Sequence, residues 1–101
     1  MKVYIQSVNF NADKDLVEFV DRKVSSLEKF YDKVVDSEVF LKVQQTSEKE
    51  NKVVEVKINV PGNELIVKKV CKTFEEGVVL AIESLKRQLN RRKEKQRAHH
   101  V

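Results

Sequence analysis

Basic side chains are the chemistry this sequence offers in quantity, and they are crowded together. Residues 86–97 hold Lys86, Arg87, Arg91, Arg92, Lys93, Lys95 and Arg97 against one acid, Glu94, a net charge of +6. The other 89 residues carry 13 basic and 15 acidic groups, so the formal +4 of the protein resides in that one stretch. A dense positive end on a rigid support attracts a polyphosphate, with RNA the first candidate. Cations also complement the negative end of a helix dipole, but two or three serve that purpose and seven around most of a helix circumference exceed it.

Other chemistry is thin. His99 and His100 are adjacent near the C-terminus, without a third ligand, and residues 99–101 are expected to form a disordered tail rather than a metal site. Cys71 has no histidine near it in sequence to activate it, and a lone cysteine excludes an internal disulfide and suits a reducing compartment. Glu48, Glu50, Glu75 and Glu76 show no acid/base spacing, and the last two complement the start of a helix. Gly62 and Gly77 are isolated, so no phosphate loop exists. These residues predict no enzyme, no cofactor, no metal and no small-molecule substrate.

The chain is 101 residues with 41% hydrophobic and 36% charged content, which fits one soluble, highly charged domain. The stretch 1–6 alternates and lacks the apolar run of a signal peptide, and no stretch approaches the ~20 apolar residues of a membrane span. The expected location is the cytoplasm.

The elements that must carry the basic end follow from periodicity. Lys2 to Ser7 alternates as a half-buried strand, with Val3 and Ile5 on one face and Lys2, Tyr4 and Gln6 on the other. Asp13 caps a helix that runs to about Phe30 and buries Leu16, Phe19, Val20, Val24 and Leu27. A second strand turns Val39, Leu41 and Val43 inward and Phe40, Lys42 and Gln44 outward. A polar hairpin loop over 45–52 precedes a third strand, Val53 to Val60, with Val54, Val56 and Ile58 inward. Pro61 and Gly62 predict a type II turn. The fourth strand, Glu64 to Lys72, has competing parities, of which Leu65, Val67 and Cys71 inward is preferred over Ile66 and Val70. The second helix spans Thr73 to about Arg97, with Phe74, Val78, Ala81, Ile82, Leu85 and Leu89 as its apolar stripe.

The order β-α-β-β-β-α predicts an α+β fold of the double-stranded-RNA-binding-domain kind. A helix joins the first two strands, which should therefore be parallel, and the remaining strands should form an antiparallel meander. Two helices cover one face of a four-stranded mixed sheet. Tyr4 and Phe40 fall on the open face as expected cross-strand neighbours. Exposed aromatics there can stack bases, but cross-strand packing is the preferred explanation.

The run Leu85-Lys86-Arg87-Gln88-Leu89-Asn90-Arg91-Arg92-Lys93 resembles the Leu-x-Arg-Gln-Leu-Asn-Lys-x-Lys run of the short ribosome hibernation promoting factors, the ribosome-associated inhibitor A family. Leu16 to Lys23, followed by Leu27-Glu28-Lys29-Phe30-Tyr31, is similar to the family's first helix, with Phe19 where a Tyr is usual. The second helix departs at its start, where Thr73-Phe74-Glu75-Glu76-Gly77-Val78 replaces an Asp-x-Tyr-x-Ala-Ile pattern, and at Ser84, which replaces a basic residue. The resemblance covers essentially the whole chain. It implies a single ribosome-binding domain over 1–98 that binds the 16S rRNA of the small ribosomal subunit in the mRNA/tRNA channel. It further implies inhibition of translation in stressed or stationary cells, promotion of ribosome dormancy and dimerisation, and a monomeric free protein. Carried over by position, Lys23, Lys29, Lys86, Arg87, Arg91, Arg92 and Lys93 would contact the RNA. The residues alone leave two alternatives, a general structured-RNA-binding module and a basic protein-interaction domain with an acidic partner.

Overall fold

Alternating side chains build four strands, and two 3.6-residue stripes build the helices that cover them. The computed structural model describes residues 1–98, with 96–98 given by backbone alone; the expected tail at 99–101, with His99 and His100, and the side chain of Arg97 lie outside the described residues. The elements are β1 Lys2–Val8, α1 Lys14–Phe30, β2 Asp36–Val43, β3 Lys52–Val60, β4 Asn63–Cys71 and α2 Phe74–Ala98. The strands lie in the order β1-β2-β3-β4, with β1 parallel to β2 and the other pairs antiparallel. This is the α+β arrangement expected from the element order.

Each helix starts on a side-chain cap. The Asp13 carboxylate accepts from the Leu16 N–H at 2.8 Å, and the Thr73 hydroxyl accepts from the Glu76 N–H at 3.2 Å. The stripe of α1 buries Val20, Val24 and Leu27; that of α2 buries Phe74, Val78, Ala81, Ile82, Leu85 and Leu89. Both pack on Val39, Leu41, Val54, Val56, Ile58 and Val67 from the sheet. Each large apolar side chain among these contributes about 1.5–3 kcal/mol by leaving water, which fixes the helices as a layer on one face. In β4, Val67 and Cys71 are buried and Ile66 and Val70 are exposed, so the preferred parity holds.

Two glycines shape this layer. Gly62 has φ +78° with open space around it, so the turn's backbone, not crowding, selects glycine there. Gly77 is different: a Cβ on it would stand 2.7 Å from Val54 Cγ2. Its missing side chain lets the first turn of α2 lie directly on β3.

The face away from the helices carries Lys2, Lys42, Lys57 and Lys68 among Asp36, Glu38, Glu55 and Glu64, so its charges balance. Lys57 bridges Glu38 at 3.1 Å and Glu64 at 3.9 Å, and the Glu38 contact raises its pKa. The register sets Tyr4 opposite Glu38 and Phe40 opposite Gln6. The two aromatics are therefore cross-strand neighbours on the open face, as expected, in the diagonal rather than the directly opposed position. The reason is the parallel pairing of β1, which begins at Lys2↔Asp36 and is fixed by the crossover through α1 rather than by any local signal.

Candidate nucleic-acid interface

Both helices run toward the same end of the molecule, so their C-terminal, negative dipole ends converge there. The first half of α2 is acidic, with Glu75, Glu76 and Glu83 and no cation; from Lys86 onward the balance reverses. The crowded positive charge therefore meets the C-terminal end of α1 and the turn at Pro61 and Gly62. The long dimension of the molecule, 53 Å against 24 and 18 Å, reflects a rod that outruns its sheet.

The basic residues at this end differ in what they touch. Lys29, Arg87 and Arg91 are exposed. Lys23 is half-buried, with its ammonium 5.7 Å from the centre of the Phe19 ring, a ring that Arg22 also covers at 5.8 Å. Lys86 and Lys93 lie over Phe30, at 5.7 and 4.2 Å. Lys93 also donates to the Phe30 carbonyl, one of the carbonyls left without a helical partner at the end of α1. Arg92 donates from Nε to the Tyr31 hydroxyl at 3.0 Å and from its terminal nitrogen to the Pro61 carbonyl at 2.6 Å.

Two grooves flank α2. One, of about 410 Å³, lies between the helices and is lined by Arg22, Lys23, Ser26, Val79, Ile82, Glu83 and Lys86. The other, of about 260 Å³, lies between α2 and the start of β4 and is lined by Asn63, Leu65, Gln88, Arg91, Arg92 and Lys95. Cations on both walls of a rod suit a polyanion that wraps its tip. The scaffold offers little else. Burial pushes the Cys71 thiol up in pKa, which makes it a poor nucleophile, and the described residues contain no metal-binding group of three or more His, Cys, Asp or Glu.

Residues 3–97 match the family described as Sigma 54 modulation protein / S30EA ribosomal protein. The chain belongs to this family. Members of the S30EA family are non-enzymatic, ribosome-associated proteins. The chain is 26% identical over 98 residues to a ribosome hibernation promoting factor of Pseudomonas putida, covering 97% of this chain and 92% of that one. It is 27% identical over 96 residues to one from Azotobacter vinelandii, covering 95% and 86%. Its fold is shared with a ribosomal subunit interface protein from Coxiella burnetii, at TM-score 0.81, 17% identity and coverage of 93% and 99%. It is also shared with the N-terminal domain of Thermus thermophilus Protein Y, at TM-score 0.74, 19% identity and coverage of 89% and 93%.

Among the residues expected at the interface of this S30EA member, Lys86, Arg87, Arg91, Arg92 and Lys93 share the far half of α2, Lys29 stands at the end of α1, and Lys23 faces α2 across the first groove. Arg22 and Lys95 also line the grooves, and the sequence pattern did not single them out as contacts. Arg22 adjoins Lys23 and lies one helical turn before Ser26, a spacing that places Arg22 and Ser26 on one face.

Proposed function

We propose that this chain is a ribosome-associated factor that binds the 16S rRNA of the small subunit within the mRNA/tRNA channel and holds the ribosome inactive. Its relatives are named for ribosome hibernation and for the ribosomal subunit interface. The observation that carries the RNA contact is the segregation of charge. Cations cluster at one end of the helical layer, whereas the open sheet face is balanced and partly paired with itself. In this reading Lys23, Lys29, Lys86, Arg87 and Arg91 meet phosphates directly, and Arg92 and Lys93 complete the positive field while holding the protein together. The free chain is a monomer acting in the cytoplasm; no helix of the described residues is long and apolar enough to cross a membrane. Promotion of dormant, paired ribosomes under starvation belongs to the same proposal, supported by relatives named for ribosome hibernation.

The test is equilibrium binding to purified small subunits over a salt series. Five phosphate contacts give a slope of log affinity against log salt of about −3.5 to −4.5. Replacing Arg87 and Arg91 together by Gln lowers that slope by about 1.4 to 1.8 and weakens binding at low salt. Unchanged affinity in the double variant refutes the role of α2. Equal binding to any RNA duplex makes the chain a general RNA-binding module. A salt-insensitive interaction with ribosomal protein alone makes it a protein-interaction domain.

A further inference from the structure

We propose that Tyr31 and Arg92 are positioning residues for RNA binding, an inference that rests on the reading above. Arg92 follows Leu89 by three positions and Leu85 by seven, so it continues the buried stripe of α2 beyond its last apolar member. Its guanidinium is thereby aimed at the rim of the core. There it reaches acceptors from two different elements, the Tyr31 hydroxyl at the end of α1 and the Pro61 carbonyl in the β3–β4 turn. One side chain thus ties α2 to both neighbours at the point where the helix passes the end of the sheet.

The tie matters because of the length of helix beyond the core. Nine helical residues come after Leu89, the last fully buried position of α2 among the described side chains. A helical segment that short has little stability of its own. Lys93 holds the same turn to the end of α1 alone. Without the Arg92 tie, Arg91 and Lys95 would be carried on a more loosely held end, and the entropy of ordering them would weaken the encounter with RNA. With it, the angle of the rod is set before binding. The pairing also accounts for residue type. A guanidinium reaches two acceptors in one plane, which an ammonium on a flexible stem does not reproduce. The Tyr31 ring is 3% exposed and would pack as well in a phenylalanine; its hydroxyl is the part that meets Arg92.

Tyr31→Phe and Arg92→Lys test this, because both leave the net charge unchanged. Amide exchange at residues 90–95 should accelerate about fivefold, the equivalent of one typical hydrogen bond lost. Affinity for purified small subunits should fall by a similar factor at a temperature where circular dichroism shows the variants fully folded, with the melting temperature lowered by no more than about 4–8 °C. The salt slope should stay that of the parent chain, since no phosphate contact is removed. Lys68→Arg, a charge-conserving control on the open sheet face, should bind as the parent does. Unchanged exchange and affinity in Tyr31→Phe, while Arg87→Gln/Arg91→Gln still weakens binding, would overturn the positioning role and leave the ribosome reading standing. A loss of affinity that appears only at temperatures where the variant is partly unfolded overturns it as well. If the double Gln variant binds undiminished, the ribosome reading itself fails, and the positioning role with it.

Discussion

Replacing Gly77 by Ala tests how the rod is seated. On an open helix the change would be favourable by about 1 kcal/mol, since Ala has the better helix propensity. Here the new Cβ would stand 2.7 Å from Val54 Cγ2 and 3.3 Å from Val54 Cβ. Comfortable carbon contacts lie at about 3.5–4.0 Å, so the closest overlap is near 1 Å. Val54 cannot give way. It is fully buried, sits in β3 between two paired strands, and branches at Cβ, so the clash is with a stiff group. The helix must lift instead, loosening Val78 and Ala81, which are fully buried on the same stripe. Overpacking of this kind costs about 1–3 kcal/mol. Set against the propensity gain, the net loss is about 1 kcal/mol, or about 4–8 °C in melting temperature for a domain of this size.

Equilibrium urea denaturation of Gly77→Ala, Val54→Ala and the double variant separates the two terms. Val54→Ala alone leaves a cavity that costs about 2 kcal/mol. In the double variant the offending methyl is gone, and the Cβ introduced at position 77 fills part of the space. The double variant should therefore be more stable than the sum of the single changes by about 1–2 kcal/mol. A Gly77→Ala protein that is more stable than the parent, or a cycle that is additive within about 0.5 kcal/mol, would refute the argument that contact with β3 selects glycine at this position.

Two further outcomes are expected. Ser37 is fully buried in β2 and its hydroxyl has no hydrogen-bond partner among the described residues, so Ser37→Ala should stabilise the domain by about 1 kcal/mol in the same denaturation assay. Tyr4→Thr combined with Phe40→Thr should lower stability by less than about 1 kcal/mol, because the pair is diagonal, and should leave affinity for small subunits unchanged; a fall in affinity without loss of stability would make the open sheet a base-stacking surface.

The parts of this fold legible in sequence are those governed by local period. All six residues of the α2 stripe are buried, because helical spacing leaves them no other face to share. The strand parities follow the same logic, and in β4 the buried Val67 and Cys71 settle a choice that Ile66 and Val70 contested. The basic end was legible as a charge but not as an arrangement. Lys93 meets Phe30, and Arg92 meets Tyr31 and Pro61, across more than 30 residues of chain, so these contacts exist only once three elements converge. A partial signal was present, since Arg92 falls at the spacing of the buried stripe, where a solvent-facing cation is not expected. The offset of Tyr4 from Phe40 had no such signal, because it depends on where α1 delivers β2 against β1.

The division of labour among these cations bears on how charge should be counted. A run of like charges at a helix end repels itself, and the repulsion grows as the turns leave the body that could offset it. The protein answers by directing two cations inward, to acceptors that its own folding leaves available. Lys93 takes a carbonyl at the end of α1, and Arg92 takes a carbonyl in a turn and a tyrosine hydroxyl. Each contact satisfies a polar group at the rim of the core and draws positive charge toward the negative helix end. Arg87 and Arg91, on the outer side, are then free to face an anion from a helix already held in place. Neutralising an inward-facing cation would therefore remove a support and some field, whereas neutralising an outward-facing one would remove a contact. Arg92→Gln combined with Arg87→Gln and Arg91→Gln would confound the two effects, so binding is better dissected with the charge-conserving changes at the tie and the charge-removing changes outside it.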